Sequence, residues 1–179
     1  MQATIKVTSK EQLRAIIFKS ATNADLNHLD VSGLTDMSEI FRDSNFNGNI
    51  SDWDVSNATD MRGMFYRSKF NQDISGWNVS NVENMGWMFL DSKFNQDISD
   101  WDVSNVTDMY SMFYKSKFNK DISRWDVGNV TNMTYMFCGS RFNGVVSNWD
   151  VSSVIDMPYM FDKSQFTGDI SRWTKQPSK

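Results

Sequence analysis

Residues 94–116 read FNQDISDWDVSNVTDMYSMFYKS, and the same phrase, lightly edited, runs through most of the 179-residue chain. Tryptophan recurs at Trp53, Trp77, Trp101, Trp125, Trp149 and Trp173, each 24 residues after the last. Phe46, Phe70, Phe94, Phe118, Phe142 and Phe166 keep the same step, as do Val31, Val55, Val79, Val103, Val127 and Val151. Six units follow: 29–52, 53–76, 77–100, 101–124, 125–148 and 149–172. Leu29 stands in the tryptophan place of the first, and Trp173 opens a seventh that does not complete. A fixed period of this length signals a solenoid, in which each unit buries its apolar face against its neighbours.

With the tryptophan as position 1 of the unit, apolar residues fill positions 1, 3, 6, 9, 12, 13, 18 and 22. W-x-V alternates by two and predicts a short strand. M-x-x-M-F has the spacing of one or two helical turns, and the Asp or Asn just before it (Asp36, Asp60, Asn84, Asp108, Asn132, Asp156) suits a helix cap. Each unit then reads as strand, corner, short helix and return, with parallel strands stacked at about 4.8 Å. Columns of serine (Ser44 to Ser164, Ser51 to Ser171) and asparagine (Asn47 to Asn143) are placed to satisfy backbone groups at the corners. A row of catalytic serines would need a column of bases; the lone His28 precedes the repeats, and no enzyme is expected.

Composition narrows the classes further. Apolar residues make up 40% of the chain and the net charge is −4, which argues against general attraction to DNA or an anionic membrane. The single Cys138 excludes an internal disulfide and a cysteine zinc site. The start MQATIKVTSKEQL resembles no secretory signal and no apolar run spans a bilayer, so the expected location is cytoplasmic. No cofactor is expected. The methionine and tryptophan ladders read as core packing, and the aspartate columns read as hydrogen-bonded to serine, asparagine and backbone in preference to calcium.

Residues 1–28 read as an N-terminal cap. Thr4 to Val7 form a strand, Ser9 starts a helix, and Leu13, Ile16 and Ile17 lie on its inner face. Residues 174–179 form a tail, and a homodimer through an uncapped C-terminal end is one mode of association considered.

The phrase W-D-V-S-N-V-T-D-M-x-x-M-F-x-x-S-x-F-N-x-D-I-S, spelled in full by Trp101 to Ser123, resembles the BspA-like leucine-rich repeat family of bacterial proteins. The resemblance covers about residues 29–173. It implies an α/β, leucine-rich-repeat-like right-handed solenoid of parallel short strands and short helices. It also implies a non-enzymatic protein binder, with members usually on the cell surface. The missing export signal points instead to an intracellular inhibitor or effector of prophage type. A surface adhesin is the alternative.

Columns that vary between repeats face solvent or a partner. Every tyrosine falls in three of them: Tyr110 at position 10, Tyr135 and Tyr159 at 11, Tyr66 and Tyr114 at 14. Trp87, the one tryptophan off the ladder, sits at 11, Leu90 and Cys138 at 14, and Arg62 and Arg42 share these columns. Stacked coils align them into an aromatic stripe on the back of the short helices, a composition typical of protein interfaces. The expected partner-binding residues are Tyr66, Trp87, Leu90, Tyr110, Tyr114, Tyr135 and Tyr159, with Arg62 on the rim. A second stripe (Lys69, Lys93, Lys117 and Arg141, flanked by Arg67, Lys115 and Lys163) makes a nucleic-acid binder the other alternative, though a solvated edge suits it better.

Overall fold

The computed structural model describes residues 4–178. Residues 1–3 of the expected cap and Lys179 of the tail lie outside the described residues. The regular elements are few: β1 (Ile5–Lys6), α1 (Lys10–Lys19) and β2 (Leu29–Asp30). Everything after Asp30 is a stack of coils built from turns. Parallel bridges run Asp36–Asp60–Asn84–Asp108–Asn132–Asp156, so each coil lies in register on the next, 24 residues on.

The core is the one the period spelled. In the central phrase, Phe94, Ile98, Trp101, Val103, Val106, Met109, Met112 and Phe113 are all buried. Phe41, Phe65, Phe89, Phe113, Phe137 and Phe161 stack with centroids 5.2 to 5.6 Å apart. Phe70 to Phe166 stack at 6.4 Å, and Trp53 and Trp77 at 6.3 Å. Equivalent, nearly parallel rings measure the displacement from coil to coil. It is smallest at Tyr135–Tyr159, 5.1 Å, and widest at the tryptophans and the position-18 phenylalanines. The coils therefore fan out, with positions 9 to 15 on the concave side.

W-x-V is not a strand in the repeats after the first: the position-1 N–H closes a local turn, as in Trp101 to Ile98, and those of positions 2 and 3 donate to no backbone carbonyl among the described residues. Side chains close the gap instead. Each ladder indole donates to the carbonyl 27 residues earlier, from Trp53 Nε1 to Leu26 at 2.9 Å through Trp173 Nε1 to Val146 at 3.0 Å. Asn57, Asn81, Asn105 and Asn129 donate to the serine carbonyl one coil back. Only in the first coil does this segment pair as a strand: β2 joins β1, with the Ile5 and Val7 N–H groups donating to the His28 and Asp30 carbonyls at 2.9 Å.

The helix predicted for M-x-x-M-F is absent too. The N–H groups at positions 9, 11, 13 and 15 donate to the next coil, as in Met85 to Asp108, Trp87 to Tyr110, Phe89 to Met112 and Asp91 to Tyr114, at 2.7 to 2.9 Å. Positions 12, 14 and 16 close local turns, as in Met88 to Met85, Leu90 to Trp87 and Ser92 to Phe89. Positive φ at positions 11 and 15 rotates alternate peptides into the stack direction: Trp87 has φ 60°, Asp91 50°, Tyr135 56° and Lys115 53°. A helix would keep those N–H groups to itself. The aspartates of position 8 accordingly make turns in place of caps: Asp60 and Asp108 accept from the N–H two residues on, at 2.8 Å.

Ser9 is the N-cap residue of α1. The Ser9 hydroxyl accepts from the Gln12 N–H, and Leu13 and Ile17 of α1 are buried on the first coil, with Ile16 half-buried. At the other end, residues 174–178 cross the sixth coil. The Ser178 carbonyl takes the Tyr159 N–H at 2.7 Å, and Gln176 Nε2 donates to the Ile170 carbonyl at 2.9 Å. The N–H groups of Met157, Phe161 and Lys163 have no partner among the described residues. An edge of donors gains no hydrogen bond from a second identical edge, so this ladder supplies no bonds for two-fold pairing of C-terminal ends.

The aspartate columns carry a pH dependence. The Ser56 hydroxyl and N–H hold the Asp54 carboxyl below the ordinary aspartate range, and Ser104 and Ser152 do the same for Asp102 and Asp150. The N–H groups and hydroxyls of Ser75, Ser99 and Ser123 act alike on Asp73, Asp97 and Asp121. A depressed folded value stabilises above the unfolded value of about 3.9 and is lost as pH falls through the folded one. The melting temperature should hold from about pH 7 to 5 and fall below about pH 4. Asn78 already makes the same turn, accepting from Ser80 N–H and hydroxyl at 3.1 and 2.7 Å. Asp54→Asn, Asp102→Asn and Asp150→Asn together should fold at neutral pH and shrink the acid-induced drop in thermal melts. An unchanged drop would place the acid sensitivity elsewhere.

Candidate functional site

Positions 10, 11 and 14 emerge side by side on the concave face, because the turn ladder fixes one backbone conformation and repeats it in every coil. The face holds a groove of about 480 Å³ lined by Glu39, Arg42, Gly63, Tyr66, Trp87, Leu90, Tyr110, Ser111, Tyr114 and Tyr135. Six of the eight residues predicted from sequence line it: Tyr66, Trp87, Leu90, Tyr110, Tyr114 and Tyr135. Tyr159 extends it by stacking on Tyr135, with centroids 5.1 Å apart and planes within 6°. Arg62 lies over the Trp87 ring at 5.5 Å. All eight share one face, on a ladder of turns instead of the backs of helices.

The rings form a continuous series. Trp87 meets Tyr110 edge-on at 5.8 Å, and Tyr135 meets both Tyr110 and Tyr114 edge-on at 6.3 Å. Such contacts add about 0.5–1.5 kcal/mol per pair beyond the area they bury. Arg42 and Arg67 lie over Tyr66 at 4.9 and 5.2 Å, and the Lys115 ammonium over Tyr114 at 5.1 Å. Two members of the basic stripe, Arg67 and Lys115, thus belong to the edge of the aromatic groove. Desolvation, with the neighbouring phenols, raises Tyr135 above the ordinary phenol range, so its hydroxyl stays a neutral donor at physiological pH.

Sequence reasoning missed two residues that line the groove, Gly63 and Ser111. Column 11 reads Glu39, Gly63, Trp87, Ser111, Tyr135, Tyr159. Gly63 and Ser111 are both buried beside the half-buried Trp87. The signal was present as small residues alternating with large ones in one column. Glu39 closes one end, its carboxylate 3.0 Å from Arg42. Arg42 also lies 3.5 Å from Asp43, and Arg67 4.0 Å from Asp91. Arg62 and Lys115 have no carboxylate within 4.0 Å among the described residues.

Backbone conformation sharpens the chemistry. Position 11 has φ between 52° and 62° in every coil, a region that costs an L-residue roughly 1–2 kcal/mol and glycine nothing. Gly63 meets this requirement without cost. Trp87, Tyr135 and Tyr159 meet it with bulky rings that are not part of the core cluster. The arrangement offers aromatic faces, indole and phenol donors and two uncompensated cations, the equipment of a recognition surface.

Among the described residues no helix is long and apolar enough to cross a membrane. No curated protein and no solved structure matches the chain. A family model does match, twice and with overlap, over residues 12–117 and 91–178, as expected of a repeat protein. Together these matches take in most of α1, all six coils and the groove, and the chain belongs to the family described as "Mycoplasma protein of unknown function, DUF285".

Proposed function

We propose that the chain is a non-enzymatic protein-binding module that docks a partner protein in the concave aromatic groove. The observation that carries this reading is the placement of Trp87, Tyr135 and Tyr159 at positive φ, where glycine would serve the fold better. A further support is composition: tryptophan, tyrosine and arginine dominate interface energetics, and here they are gathered on one face. The coil stack is read as a leucine-rich-repeat-like right-handed solenoid, in keeping with the BspA-like resemblance, and the mechanism is occlusion or docking by a rigid face, as an inhibitor or effector would use. The test is affinity capture from a lysate of the source cell by the intact chain and by the Trp87→Ala, Tyr114→Ala, Tyr135→Ala variant. The intact chain should retain a partner that the folded variant loses. Equal capture by both would move the site off this groove.

A further inference from the structure

We propose that this face takes an acidic segment of the partner protein, laid along the coil axis, with its carboxylates on a row of lysine and arginine and its apolar side chains in the aromatic groove. This rests on the reading of the groove as a protein-binding face and names the chemistry of what it binds.

Column 17 supplies the row. It reads Asn45, Lys69, Lys93, Lys117, Arg141, Gln165. In these four coils the serine before it and the phenylalanine after it are buried, so the residue between them points out: Lys69, Lys93 and Arg141 are exposed and Lys117 is half-buried. The backbone keeps the row in register, each N–H donating to the serine carbonyl one coil back, as in Lys69 to Ser44 at 3.0 Å and Lys93 to Ser68 at 3.2 Å. Four like charges thus stand in four successive coils, an arrangement that repels itself. The fold has the opposite arrangement at hand: in column 24, Arg124 pairs with Asp100 of the preceding coil at 2.7 Å. The chain carries 22 acidic residues against 18 basic ones and places none in column 17. None of the four cations has a carboxylate within 4.0 Å among the described residues. A row of carboxylates brought by a partner is complementary to them.

The row adjoins the groove. Column 15 is two residues away, within about 7 Å along the backbone. Its Arg67 and Lys115 already lie over Tyr66 and Tyr114. Arg62, over Trp87 in column 10, brings a further unpaired cation from the other side of the rings. A guanidinium held against a ring is ordered in advance and keeps its fork for a carboxylate.

Ring geometry separates a protein segment from a nucleic acid. Bases stack on open aromatic faces. Here Arg62 lies over Trp87, Arg42 and Arg67 over Tyr66, and Lys115 over Tyr114, while Tyr135 and Tyr159 cover each other. The groove offers apolar contact and cations held in place, which suit apolar side chains and carboxylates together.

Fluorescence anisotropy with a labelled peptide of glutamates around two central phenylalanines tests the proposal. That peptide should bind, and the same peptide with lysine for glutamate should not bind measurably. Lys69→Gln, Lys93→Gln, Lys117→Gln and Arg141→Gln together should weaken binding of the acidic peptide at least tenfold with an unchanged circular dichroism spectrum. The natural chain should lose affinity at least tenfold between about 0.05 and about 0.5 M salt, and the glutamine variant clearly less. Equal binding of the lysine peptide, or full binding by the folded glutamine variant, overturns the inference. So does tighter binding of labelled oligothymidylate than of the acidic peptide, which would assign the row to single-stranded nucleic acid. Failure of the acidic peptide, while lysate capture still depends on Trp87, Tyr114 and Tyr135, overturns it alone. Capture that survives the triple alanine variant brings down the underlying reading as well.

Discussion

Phe113→Ala should lower the unfolding free energy by about 3–5 kcal/mol. Phe113 sits fully buried in the fourth coil, with Phe118 at 4.4 Å, Phe137 at 5.5 Å, Phe89 at 5.6 Å and Trp125 at 6.3 Å. Its ring touches three consecutive coils, so its removal opens a cavity that no one coil can close. Stability in a stacked repeat is roughly a sum of unit and nearest-neighbour terms, and a weak interface at the middle uncouples the halves. Phe161 holds the same place in the last coil, where it is only half-buried and has a neighbouring coil on one side. Phe161→Ala should cost clearly less, about 2 kcal/mol. Urea unfolding of the two variants makes the comparison. Equal losses would mean that the coils do not support one another in this way.

This result bears on what the sequence disclosed. Phe113 was legible as core because periodicity records which side chains are withheld from water, and that depends little on backbone conformation. The backbone itself was not legible from M-x-x-M-F. Met109, Met112 and Phe113 point inward at a spacing that a helix and a run of overlapping turns share, and spacing does not say where the N–H groups go. The decisive cue lay in columns 11 and 15, where Gly63, Ser111, Asp43, Asp91 and Gly139 occupy positive φ. Glycine and short polar residues recurring at fixed places signal left-handed backbone, and a helix has no use for two such places in five residues. W-x-V misled for another reason. Its alternation is real, since Trp101 and Val103 are buried and Asp102 exposed, but its N–H groups form no backbone ladder to the neighbouring coil.

The groove was half legible on the same grounds. Trp87, Tyr110, Tyr114 and Tyr135 stood out because repetition does not call for them. Gly63 and Ser111 did not, because a small residue in a variable column gives no sign that it lines a groove. Column position alone placed Arg62 on the rim, and its stacking on Trp87 came from the fold.

Trp87→Gly combined with Tyr135→Gly should lower partner affinity by a hundredfold or more while leaving the chain at least as stable as the matching double alanine variant. Binding falls because two of the rings that line the groove vanish together, and buried aromatic anchors of this kind are each worth about 2 kcal/mol or more at an interface. Stability goes the other way between glycine and alanine. At an ordinary helical or extended position glycine is the worse residue by about 0.5–1 kcal/mol. At φ 60° and 56° the order reverses, because alanine keeps the left-handed penalty of roughly 1–2 kcal/mol per residue and glycine does not. The two losses therefore separate: the glycine and alanine pairs should bind equally poorly, and the glycine pair should unfold at higher urea. Affinity capture or titration with the captured partner reads the first effect, and equilibrium unfolding reads the second. If the glycine pair proved less stable than the alanine pair, column 11 would not hold the left-handed backbone on which the placement of the rings depends. If it bound as tightly as the natural chain, Trp87 and Tyr135 would be occupying strained positions for a reason other than recognition.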